Sequence, residues 1–104
     1  PVEIFRVVLL NSSNRVMGDK EIHRGGLAAS LVDVREVFRH ALLEKATGII
    51  CMHNHPSGNL EPSREDIKVT QKLVEAGKIM DVRVHDHLII AGRSFTSFAN
   101  RGLI

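Results

Sequence analysis

The sequence predicts a single α/β (α+β) domain, a mixed β-sheet flanked by helices. Three observations carry that expectation. The chain has 104 residues, enough for one hydrophobic core and too few for two. Short apolar runs rich in β-branched residues alternate along it with stretches of helical periodicity. Each helical stretch opens on a capping pattern, Asp33 with Glu36 and Ser63 with Asp66.

The elements follow in order. Residues 4–10, IFRVVLL, read as a buried strand. Asn11-Ser12-Ser13-Asn14 is a turn cluster, and a weaker strand lies within Arg15–Arg24, so the pair reads as a hairpin that ends at Gly25-Gly26. Asp33 caps a helix from Val34 to about Lys45, whose core face is Val34, Val37, Phe38, Ala41 and Leu42. Gly48–Met52 is a short apolar run of the kind found in central strands, stopping at His53. Residues 53–62 carry Asn54, Pro56, Ser57, Gly58, Asn59 and Pro62 and read as loop, with Gly58 suited to a positive φ. A second helix starts after Ser63, turns Ile67, Thr70, Leu73 and Val74 inward, and is weakened by Gly77. Val82–Ile90 is a further strand, and Ser94-Phe95 with Phe98 forms a short closing element. The order is β-β-α-β-α-β.

Composition excludes several classes. With one cysteine, Cys51, neither a disulfide scaffold nor a Cys-rich zinc site is available. Cys51 sits among apolar neighbours and reads as core. Aromatic residues make up 4%, without Trp or Tyr, which argues against a stacking platform for single-stranded nucleic acid. Fourteen basic against twelve acidic residues give a net charge of +2, and the bases are dispersed along the chain as on a solvated surface. No apolar stretch approaches the ~20 residues of a membrane span, so the expected location is cytoplasmic, without a membrane partner. The chain starts at Pro1 and is expected to be the C-terminal piece of a longer protein.

Six histidines make histidine and carboxylate the natural metal ligands. In an extended segment, residues two apart point to the same side. His53 and His55 at a strand end can therefore approach one ion together. A catalytic zinc commonly has three protein ligands and a water. Asp66, in the first turn of the next helix beyond a ten-residue loop, is a natural third. A capping box alone also accounts for Ser63 and Asp66, and the two roles are compatible. His85 and His87 form a second His-x-His on one side of a predicted strand. No third ligand follows them, so they read as packing residues, with Asp86 or His87 placed to support a metal-binding histidine.

His53-Asn54-His55-Pro56-Ser57-Gly58 followed by Pro62-Ser63-Arg64-Glu65-Asp66 resembles the JAMM motif of the JAB/MPN metalloprotease superfamily. The resemblance is closest to its RadC branch, long labelled DNA repair proteins, and extends through Val34–Phe38, Asp86–Ile90 and Arg101-Gly102-Leu103. It implies a JAB/MPN (cytidine-deaminase-like) domain over residues 1–104. It also implies one Zn2+ per chain held by His53, His55 and Asp66, an acidified water as nucleophile, and Ser63 as oxyanion donor. A glutamate preceding the first strand would serve as general base. Of Glu3, Glu21, Glu36 and Glu44, Glu3 occupies that place. The expected function is hydrolysis of an amide bond in a peptide or isopeptide substrate. The alternative is a non-catalytic, metal-containing binding module for nucleic acid or a DNA-repair partner; a nuclease fits less well, since such sites are richer in carboxylates.

Overall fold

The computed structural model describes residues 2–104. Five strands, β1 (Ile4–Leu10), β2 (Val16–Arg24), β3 (Gly48–Asn54), β4 (Arg83–Ala91) and β5 (Ser94–Ser97), form one sheet with two helices, α1 (Val34–Leu43) and α2 (Arg64–Met80). The strand order is β2-β1-β3-β4-β5. Only the β3–β4 pair is parallel, and α2 is the crossover between them. The expected mixed α/β domain is therefore what the chain forms.

Alternation along the central strands separates two faces. Phe5, Val7 and Leu9 of β1 pair with His53, Cys51 and Ile49 of β3, and these residues join Val37, Phe38 and Ala41 of α1 and Val69 and Leu73 of α2 in one core. Along β3 the core face thus runs from Ile49 through Cys51 to the buried His53 near the strand end. Val69, absent from the expected core face of α2, is buried, whereas Ile67 is only half-buried.

The boundaries differ from expectation in informative places. Helix α1 stops at Leu43 because Lys45 takes a left-handed φ of 58° and lets the Ala46 N–H bond the Ala41 carbonyl at 2.8 Å. Strand β3 runs through His53 to Asn54, so these two residues are strand and not loop. The closing element is a true edge strand, β5, paired antiparallel to β4. Gly77 does not end α2. A side chain there would lie 2.3 Å from the Val82 carbonyl oxygen, so glycine is what lets the chain fold back onto the helix.

One irregularity reassigns a histidine. The β3–β4 register moves from Ile49–Val84 to Ile50–Asp86, leaving His85 as the extra residue of a bulge. His85 consequently packs over Gly48, whose neighbour on β1 is Leu10, on the face away from the core. His87 instead pairs with Cys51 on the core face and is fully buried. The two histidines do not share a side as strict alternation predicts.

Candidate metal centre

Three elements meet at the end of β3. The strand delivers His53 and, one step beyond it, His55; the His55 N–H donates to the Ile90 carbonyl at 2.9 Å, which continues the β3–β4 ladder. The loop from Pro56 returns the chain to α2, helped by a φ of +86° at Gly58. It is tied to β5 by Thr96, whose Oγ1 donates to the Leu60 carbonyl at 2.7 Å.

Helix α2 begins on a complete capping box. The Asp66 N–H donates to Ser63 Oγ at 3.0 Å, and the Ser63 N–H donates to Asp66 Oδ2 at 2.6 Å. The same carboxylate faces both imidazoles: Oδ1 lies 3.0 Å from His53 Nε2 and Oδ2 lies 3.1 Å from His55 Nε2. The side chain that caps the helix therefore also belongs to the group that could hold a metal. At α1 the box is half formed, with Asp33 accepting from the N–H groups of Arg35 and Glu36 while the Glu36 carboxylate turns to Arg39.

Among the described residues, His53, His55 and Asp66 form the group whose ligand atoms converge, all within 4.8 Å of one another. Two local facts test whether a cation fits. His55 Nδ1 lies 2.6 Å from the Asn59 carbonyl, which can only accept, so Nδ1 carries the proton, and in the neutral imidazole Nε2 presents a lone pair to Asp66. His53 Nε2 is buried and makes no hydrogen bond despite its 3.0 Å approach to Asp66, because the contact lies off the N–H direction. A buried nitrogen and a carboxylate that face each other without a hydrogen bond are a donor set suited to a cation. Burial by itself would raise the Asp66 pKa. The hydrogen bond accepted from the Ser63 N–H works against that, and the carboxylate is held below its ordinary range and is anionic at neutral pH.

The rest of the site lies around an open cleft of about 430 Å³ lined by Glu3, Leu27, His55, Ser63, Glu65 and Asp66, among others. Glu3 Oε2 accepts the Leu27 N–H at 3.3 Å. Glu21, Glu36 and Glu44 are instead ion-paired with Arg24, Arg39 and Lys20 and do not line the cleft. Cys51 is buried, and desolvation together with the Asp86 charge pushes its thiol up to about 12, which makes it core and no nucleophile.

Two residues beside the site take defined roles. Asn54, expected to shape the loop, accepts the Ile4 N–H at 2.7 Å and donates to the Val2 carbonyl at 3.0 Å, clamping the backbone on both sides of Glu3. His87 is the residue that supports His53, with its Nε2 2.7 Å from His53 Nδ1. Asp86 does not; its carboxylate accepts from the N–H groups of His87 and Ala99 and from the Ser97 hydroxyl. Burial, then the neighbouring His53, pushes the His87 pKa down to about 3.

Comparison with known proteins agrees with this geometry. A family model described as a RadC-like JAB domain matches residues 1–103. A UPF0758 protein of Salinibacter ruber is 56% identical over 102 residues, covering 98% of this chain and 44% of its own length. UPF0758 proteins of Flavobacterium johnsoniae and Geobacter sulfurreducens are each 47% identical, covering 99% and 98% of this chain and 45% and 44% of their own lengths. The chain thus spans a little under half the length of the curated relatives it matches.

Proposed function

The chain belongs to the RadC-like JAB domain family, and from that premise we propose that it is a zinc-dependent metallopeptidase or isopeptidase. The observation that carries the reading is the pair of imidazole Nε2 atoms converging on the two oxygens of Asp66, beside a cleft that also holds Glu3 and Ser63. His53, His55 and Asp66 would hold the ion. Bound there, Zn2+ supplies an electrophile and an acidified water at neutral pH.

The chain's own side chains divide the remaining work. Glu3, held from both flanks by Asn54 and at its carboxylate by Leu27, takes the proton of the attacking water and returns it to the leaving amine. Ser63 Oγ already accepts the Asp66 N–H, so its own proton is free to donate to the oxyanion that develops on the scissile carbonyl. Apart from the histidine, the ionisable residues lining the cleft are Glu3, Glu61, Glu65 and Asp66, with neither Lys nor Arg. Such a lining favours a peptide over a phosphate backbone.

Protein prepared without chelator should carry about one zinc per chain by elemental analysis, lost in the His53→Ala/His55→Ala double variant. Glu3→Gln should keep the zinc and lose roughly 10²–10⁴-fold in hydrolysis across a panel of peptide and isopeptide substrates. Full zinc in the double variant sinks the site. Salt-sensitive DNA binding that ignores metal, without hydrolysis of any panel member, would favour the binding-module reading.

A further inference from the structure

We propose that His87 is a positioning residue that fixes His53 in the tautomer able to bind metal, with Thr70 as the anchor of the relay. The inference rests on the metal reading above. His87 is fully buried, stacked on Phe98 at 4.4 Å between ring centroids and edge-on to Phe5 at 5.6 Å, so its ring plane is set by packing.

Its two nitrogens have one partner each. His87 Nδ1 lies 2.6 Å from Thr70 Oγ1, and His87 Nε2 lies 2.7 Å from His53 Nδ1. Thr70 Oγ1 donates its single proton to the Asp66 carbonyl, one helical turn back, at 2.8 Å. With that proton committed, the Thr70 oxygen accepts, and His87 Nδ1 must be the donor to it. Walled in by the two phenyl rings, His87 is a neutral imidazole, so its Nε2 is bare and accepts from His53 Nδ1–H. His53 Nε2 is thereby left without a proton, aimed at Asp66.

The opposite order would place a proton on His53 Nε2. That N–H would be buried and without a hydrogen-bond acceptor in line, and a protonated Nε2 cannot bind a cation. The relay also closes on itself. It starts at one ligand, His53 on β3, passes through His87 on β4, and ends on the backbone of another ligand, Asp66 on α2. Metal-binding histidines are often oriented by a carboxylate. A neutral imidazole orients His53 without adding negative charge to ligands that already carry one from Asp66.

The test measures Zn2+ affinity of the full-length protein by chelator competition. His87→Phe fills the space between Phe5 and Phe98 but offers no acceptor, and should weaken zinc binding roughly 10- to 100-fold. His87→Gln, whose side-chain carbonyl reaches the Nε2 position, should recover most of that loss. Thr70→Val should fall between them. In zinc-loaded wild type, imidazole nitrogen NMR should show His53 protonated at Nδ1 and metal-bound at Nε2. Wild-type affinity in a folded His87→Phe, or His53 bound through Nδ1, overturns the role of His87 and leaves the metal site standing. Absence of zinc from wild type overturns both. Should His87→Phe fail to fold, Thr70→Val and the wild-type spectrum decide.

Discussion

Asn54 stands between the two candidate ligands, but its partners are the backbone of Val2 and Ile4, about fifty residues away in sequence. One amide side chain thus ties the general-base candidate to the strand that carries the histidines, and the ligand strand positions Glu3 as well as His53. Replacing Asn54 by Ala should leave zinc content unchanged while lowering turnover on the order of 10²-fold, the scale of a misplaced catalytic group. Zinc loss on the same scale as the activity loss would show that Asn54 shapes the ligands and not Glu3. Nothing around Asn54 in the sequence could have revealed this, because its hydrogen-bonding capacity is used across the β1–β3 pairing. The His-x-His spacing, by contrast, was readable directly, since it depends only on the period of an extended chain.

Helix α2 shows how one element serves stability and chemistry together. Its first turn carries the capping box that satisfies the free N–H groups of the helix end, and that box points Asp66 at the imidazoles. One turn on, Thr70 anchors His87. Its far end depends on Gly77. Helix propensity alone says that Gly77→Ala should stabilise by about 1 kcal/mol, whereas the added carbon would meet the Val82 carbonyl oxygen at 2.3 Å. The expected outcome is net destabilisation by about 1–3 kcal/mol in urea unfolding. A gain in stability would show that the α2–β4 turn yields easily. Gly77 read as a weakness in the sequence because the carbonyl it accommodates, that of Val82, belongs to the turn after the helix.

Across the whole molecule, β1, β3, β4 and α2 share one core, which ties the geometry of the candidate site to fold stability. Acid should expose that link. The His87 pKa drops from 6.5 to about 3 on folding, so between those values the unfolded chain binds a proton that the folded chain excludes. Its contribution is complete above pH 6.5 and drains as the pH falls toward about 3. Asp66, held below its ordinary 3.8, adds a second loss lower down. Urea titrations in chelator at pH 7 and pH 4.5 should show the folding equilibrium weakening by up to tenfold per pH unit from His87, with a shallower dependence in His87→Phe. Equal slopes in the two proteins would remove His87 as the source.

Local physics was enough for much of this. Strand alternation, helical periodicity and two capping patterns identified the elements, and the His-x-His spacing with Asp66 in the next helix named the converging group. Apart from Asp66, which lies one loop beyond the histidines, these signals lie within a turn or a strand step, where sequence distance and spatial distance agree. The bulge that separates His85 from His87, the relay through Thr70, the Asn54 clamp on Glu3 and the need for Gly77 were not readable in that way. Each depends on a register between strands or on a close approach that the chain makes only once it has folded back. Only strand pairing and the packing of the sheet against α2 set those distances, and with them the proton order that leaves His53 Nε2 free to bind.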